Sequence, residues 1–299
     1  MGQYQRLFLI ADREMRHSPG LQRAAALAIA SGAALHIAAF VEPFSTLALL
    51  DKSIQEKTRE SYLQEHREWL KDEAELLRSK GIKVTTEAVW TNHALEEILL
   101  HAAEIQADLL IKDLQHEPAL KRAFITPLDW RLLRDSPMPV HLVSTLGNPL
   151  PRRVVAAVDP SRAEAQESGL NQRIIEAANG LALQCDAELH VLHTYDPSLA
   201  YLTNVVAGSV SRGGDLVAEL RSKLQTGFNA LADDYSVPAE RRHFIIGSPI
   251  SAIADFARLN ETDVIVMGTV QRKGLDKLIG STTEHILYQV PCSILAVKA

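Results

Sequence analysis

The feature that most constrains this chain is that its second half restates its first. LFLIAD at residues 7–12 is answered by VVAAVD at 154–159, AALHIAAFVEP at 33–43 by AELHVLHTYDP at 187–197, and DLLIKD at 108–113 by DVIVMG at 263–268. Asp12 and Asp159 each end a first strand, and Leu-His recurs in each second one. From the fourth strand onward one offset of 155 residues relates Asp108 to Asp263, Ile125 to Gly280 and Thr126 to Ser281. Self-similarity at this scale means two copies of one domain rather than a solenoid. A chain of 299 residues already exceeds what one core comfortably serves, so length agrees with a split into domains of about 150 residues.

Within each half, short apolar runs alternate with segments of helical period. Leu21, Ala24 and Ala28 mark one helix face, and Leu170, Ile174, Ala178 and Leu181 its counterpart. Polar stretches rich in helix formers follow at about 53–80 and 211–235, then strands at 82–90 and 242–246. Leu95, Ile98 and Ala102 mark the next helix in the first half, and Ile250, Ile253 and Ala257 in the second. Each half closes on a proline-bounded apolar run, from Pro139 and from Ser293. Apolar strands separated by helices imply right-handed crossovers and a parallel sheet covered on both faces. The expectation is α/β: two tandem doubly wound, Rossmann-like domains, 1–146 and 147–299, each with a five-stranded parallel sheet flanked by helices. The turn-rich segment Thr145–Arg152 joins them.

Composition narrows function by exclusion. A net charge of -6 gives no general attraction to nucleic acid or anionic lipid. No apolar run is long enough for a signal h-region or a membrane span, so the cytoplasm is the expected compartment. Cys185 and Cys292 form no metal or redox motif and are expected to pack as small hydrophobes. The chain contains no P-loop, GxGxxG, HExxH or GxSxG pattern. Eleven histidines invite a metal, but His36, His190 and His193 show no ligand spacing and read as satisfied structural groups. His93 reads as capping chemistry or a lining of the first-half cleft. Lys121, Arg122, Arg131 and Arg134 read as a solvated helix face. No catalytic residue and no metal set is assigned.

In such sheets, ligands collect where strand carboxyl ends meet helix N-termini. The stretch to examine runs from 264 to 287: a strand, a glycine-bearing loop, then Gly280-Ser281-Thr282 entering a helix. Glycine admits a phosphate close to backbone, and hydroxyls at a helix start bind oxygens or cap the helix. Ser281 with Glu284 also reads as a plain capping box. Asp159, in Asp-Pro-Ser, reads equally as a turn residue, a helix cap or a ligand group.

VDPS after a first strand, and GTVQRKGLDKLIGSTTEHIL before a proline-bounded last strand, resemble the universal stress protein family. VWTNHALEEIL and FITPLDWRLLRDSPMPV are similar to its tandem, E-type subgroup. The resemblance covers nearly the whole chain and implies the adenine nucleotide alpha hydrolase-like variant of the fold. It implies ATP or another adenine nucleotide as ligand, with Mg²⁺ as an optional companion. Phosphates would meet Gly268, Lys273, Gly274, Gly280, Ser281 and Thr282, and the adenosine side Ala157, Val158, Asp159, Thr194 and Met267. Gln271 replaces the second glycine of the family pattern, and the loop is one residue short. The first half carries Lys112, Asp113, Ile125 and Thr126 at the matching places and lacks that cradle. The implied function is a non-catalytic stress-response protein acting through contacts with unidentified proteins. A slow ATP hydrolase, with Asp276 and Glu284 as the nearby carboxylates, is the enzymatic alternative. A carrier or sensor of an apolar ligand in the first-half cleft is another. An internal pseudo-dimer through the last strands, and a further homodimer, complete the expectations.

Overall fold

The apolar runs become strands because each is covered on both faces, and burying one Leu or Ile contributes about 1.5–3 kcal/mol. The computed structural model describes residues 4–114, 127–161, 168–196, 198, 213–269, 286–287 and 289–298. It divides into two compact units, residues 2–145 and 146–299. In the first unit, β1 (Arg6–Ile10), β2 (Ala34–Val41), β3 (Val84–Trp90), β4 (Leu109–Asp113) and β5 (Val140–Val143) lie in the order β3-β2-β1-β4-β5, every pair parallel. Helices α1 (Pro19–Ser31), α2 (Lys52–Ser79), α3 (Ala94–Glu104) and α4 (Leu128–Asp135) connect them.

The second unit repeats this plan. Strands β6 (Arg153–Ala157), β7 (Glu188–Tyr195), β8 (Arg242–Ile246), β9 (Val264–Thr269) and β10 (Ser293–Lys298) lie in the order β8-β7-β6-β9-β10, again parallel. Its helices are α5 (Leu170–Cys185), α6 (Gly213–Asp234) and α7 (Pro249–Leu259). In both sheets the first strand is central, and strand order reverses between the first and fourth strands. That reversal leaves a crevice at the carboxyl ends, since the flanking crossovers depart to opposite sides.

Local chemistry sets the boundaries. Ser18 caps α1 by accepting from the Leu21 amide, Pro19 occupies the first turn, and Gly32 ends the helix at φ 71° while its amide bonds Ala28 O. This is the proline-in, glycine-out asymmetry of an ordinary helix. β3 starts at Val84 rather than at residue 82. Gly81 turns the chain at φ 85°, and the Ile82 amide bonds back to Leu77 O at 3.2 Å.

The repeat is also visible in one paired device. The Asp108 carboxylate accepts from the amides of Gln5 (2.8 Å) and Arg6 (3.1 Å), where β1 begins. The Asp263 carboxylate accepts from Arg152 (2.8 Å) and Arg153 (3.0 Å), where β6 begins. Each aspartate thus ties the entrance of the fourth strand to that of the first, satisfying amides that the ladder leaves unpaired. Asp263 also takes the Asn148 side-chain amide at 3.1 Å, which anchors the segment leading into β6. Both cysteines are buried.

Candidate functional site

In the second unit the switch point lies between β6 and β9, which pair from Val154–Val264 to Ala156–Val266. Ala157, Val158 and Asp159 therefore end one wall of the crevice, and Met267 and Gly268 end the other. Thr194 follows on β7, beyond the Ala157–Leu192 pair. The fold brings these six expected residues to one end of one sheet. Val158 and Met267 are buried; Asp159, Thr194 and Gly268 are half-buried. Lys273, Gly274, Gly280, Ser281 and Thr282 lie outside the described residues, as do Asp276 and Glu284.

Two side chains that sequence reasoning did not connect to this site organise it. Asn171, in the first turn of α5, spans the Asp159 peptide: its Oδ1 accepts from Asp159 N at 2.9 Å and its Nδ2 donates to Asp159 O at 3.0 Å. The Asp159 carboxylate meanwhile accepts from the amide of Ser161 at 3.1 Å and from its hydroxyl. These Ser161 bonds place Asp159 in an Asx-type turn, the turn reading among those its sequence offered. The other is Leu170. A Cβ on Gly268 would stand 2.6 Å from Leu170 Cδ2 and 2.9 Å from its Cγ, so glycine here already serves packing of α5 on β9.

His193 adds a fixed polar contact. Its Nδ1 donates to Val158 O at 3.0 Å, holding the end of β6 against β7. Burial lowers its pKa, outweighing the raising effects of the Val158 carbonyl and the Asp159 charge, and so favours the neutral ring. Its Nε2 is buried with no hydrogen-bond partner, as is Nε2 of His36. The expectation of fully satisfied histidines therefore needs correcting: these two rings are satisfied at one nitrogen only. His36 spends its Nδ1 on the Thr85 hydroxyl at 2.8 Å, and His190 pairs with His243 at 2.9 Å. Among the described residues no group of three His, Cys, Asp or Glu side chains has metal-binding geometry.

The equivalent place in the first unit is filled by the protein itself. Lys112, at the position of Met267, is buried and makes an ion pair with buried Asp129 on α4 (2.8 Å) while donating to Asp113 O at 2.9 Å. Asp113, at the position of Gly268, turns its carboxylate onto the start of α1, where the Gly20 amide donates to it at 2.7 Å. Gly20 leaves just enough room, since a Cβ there would come within 2.8 Å of that carboxylate. An anion belongs at a helix N-terminus, and here a side chain supplies it. Burial pushes the Asp113 carboxyl above its usual range, against the pull of hydrogen bonds from Ser18 and Gly20 and of Lys112. Asp12 is committed to Arg16 at 2.7 Å. The cavity these groups line holds about 20 Å³, room for a single water. His93 does not cap α3 with its ring; its own amide bonds the Thr91 hydroxyl at 2.9 Å. Of the four cations read as a helix face, Arg131 and Arg134 are half-buried and pair with Glu96 and Asp135, while Lys121 and Arg122 lie outside the described residues.

Two parallel sheets of one strand order, each with a crevice at its switch point, define a tandem of doubly wound α/β units. The chain belongs to the Universal stress protein family, whose profile matches residues 4–144 and 151–298. It is 25% identical over 309 aligned positions to universal stress protein E of Escherichia coli strain K12, covering 100% of this chain and 95% of that protein. The corresponding protein of Photorhabdus laumondii is 27% identical over 312 positions, covering 100% and 96%. In the solved structure of a universal stress protein from Archaeoglobus fulgidus the same fold recurs, with a TM-score of 0.68 at 16% identity over 99% of this chain and 97% of that one. Among the described residues no helix is long and apolar enough to cross a membrane.

Proposed function

We propose that this is a non-catalytic stress-response protein of the cytoplasm that binds one adenine nucleotide, in its second unit, and acts through contacts with other proteins. The observation that carries the reading is the contrast between the two switch points. The first holds the Lys112–Asp129 ion pair and the Asp113 carboxylate, and the cavity that Lys112 and Asp113 line is about 20 Å³, whereas the second presents Met267 and Gly268 opposite Asp159. A nucleotide would place its base against Val158 and Met267, its ribose near Asp159, and its phosphates toward Gly280 and Ser281. Gly268 is weaker support than its motif position suggests, because Leu170 already requires it. The shortened loop and Gln271 point to affinity near the micromolar range, about -8 kcal/mol.

Isothermal titration with ATP and ADP, with and without Mg²⁺, tests this. One site per chain, abolished by Gly280→Ile and untouched by Thr126→Val, is the expected result. Two equivalent sites, or none at millimolar nucleotide, would refute it. The hydrolase alternative requires a turnover above about 1 s⁻¹ that the Gly280 variant removes. Hydrolysis that survives the variant would come from a contaminant.

A further inference from the structure

At the other end of the first sheet, away from the filled crevice, the amino ends of β1, β2 and β3 border a solvent-open hollow of about 410 Å³. Its apolar lining comes from Leu7 and Leu35 on the sheet, Val84 on β3, and Ile105 just past α3. Three cations stand around it, Arg6, Lys83 and Arg78, the last in the final turn of α2. No carboxylate is among its described lining residues. Acids stand just outside the lining: Asp108 accepts from the Gln5 and Arg6 amides at the border, Glu87 faces His101 at 3.4 Å, and exposed Glu104 precedes Ile105.

The charges differ in how far they are committed. Arg78 gives Nε and one terminal nitrogen to Val84 O (3.2 and 2.7 Å), which braces α2 against β3. Arg6 gives one nitrogen to the Gln106 side chain at 2.7 Å and keeps further donors. Lys83 is exposed, and its ammonium makes no ion pair or hydrogen bond among the described residues. In a chain of net charge -6, three cations around an apolar hollow form a local reversal of sign. His36, on the same border, has its pKa lowered by burial, so the positive charge belongs to the three basic side chains.

From this we infer a second ligand site, fitted to a small organic monoanion with a flat or short apolar body: an aromatic or short-chain carboxylate. The apolar walls would take the body, and Lys83 with the spare Arg6 donors would take the carboxylate. A volume of a few hundred Å³ suits a ligand of this class, and a multiply charged phosphate would waste the apolar walls. A fully apolar ligand would leave the cations without a role.

The probe is 2-naphthoate, with 2-naphthylmethanol as its uncharged counterpart, titrated into the full-length protein and followed by amide NMR shifts. A body of about a dozen heavy atoms reaches dissociation constants on the order of 0.1–1 mM. The expected result is saturable binding, with shifts at Lys83, Thr85 and Ile105, and at least tenfold weaker binding of the alcohol. Lys83→Glu, an exposed change that spares the core, should weaken naphthoate about tenfold and leave nucleotide titration of the second unit unaltered. Ile105→Asp should weaken both naphthoate and the alcohol. Absence of saturation at 10-fold the expected dissociation constant, equal affinity for the alcohol, an unaffected Lys83→Glu, or shifts confined to other surfaces would each overturn the assignment.

Discussion

Gly268 is the place where a packing role and a ligand role can be separated by one substitution. Alanine there adds a Cβ at 2.6, 2.9 and 3.0 Å from Cδ2, Cγ and Cδ1 of Leu170. Carbon contacts are comfortable at about 3.5–4.0 Å, so the whole isobutyl group must retreat by roughly 1 Å. Leu170 is 4% exposed and stands in the first turn of α5, so the retreat pushes on the neighbouring core or shifts the helix. Overpacking of this kind costs about 1–3 kcal/mol. Leu170→Ala alone leaves a cavity and costs about 2–5 kcal/mol. The two costs should not add: with Leu170 cut back the new methyl has room, and the double variant should be no less stable than Leu170→Ala. Urea unfolding of the four proteins measures this. The three tryptophans, Trp69, Trp90 and Trp130, lie in the first half, so far-UV dichroism must supply the signal for the second. Additive losses, or a Gly268→Ala variant within about 0.5 kcal/mol of the parent, would refute the packing account and return Gly268 to a ligand role.

Other expectations follow from the same geometry. Asp108→Ala should destabilise the first unit by about 1.5–3 kcal/mol, the worth of hydrogen bonds to a charged group, as read by tryptophan fluorescence during unfolding. Asp263→Ala should do the same to the second unit and leave that fluorescence transition in place. Burial, with His190 and Arg153 nearby, holds the His243 pKa at about 4, below an unfolded value of about 6.5. Its contribution is therefore full above pH 6.5 and fades as pH falls toward 4. His243→Phe, which keeps a ring against Phe256, should flatten the acid side of the stability profile across that window, and an unaltered slope would count against the pair. Asn171→Ala should release the Asp159 peptide and weaken nucleotide binding more than it weakens the fold, which titration and unfolding together would show.

The strands and helices were legible because their residues carry the period themselves: a buried parallel strand is a short apolar run, and the α5 face is spaced Leu170, Ile174, Ala178, Leu181. The repeat carries the topology, since one offset of 155 residues places Asp263 on Asp108. What stayed hidden depends on chain segments that meet only in three dimensions. Asn171 reads as an ordinary polar residue in a helix start, and nothing local says that both ends of its amide face the Asp159 peptide. Gly268 fits a phosphate motif, yet its neighbour Leu170 lies almost 100 residues away. Lys112 in a strand reads only as a departure from the phosphate cradle; the buried partner Asp129 that makes it tolerable comes from another element.

The paired aspartate clasps bear on the order of events during synthesis. β1 emerges first in its half and ends at the centre of the sheet, but its entry amides wait for Asp108, 102 and 103 positions downstream. In the second half the wait is 110 and 111 positions. Neither half can be completed from its leading edge, because its middle strand is secured by nearly the last quarter of its own sequence. Loop closure over such spans slows folding, and larger chains fold domain by domain as they leave the ribosome. The first half can therefore close while the second is still being made, before the look-alike strands that could pair with it in error have emerged.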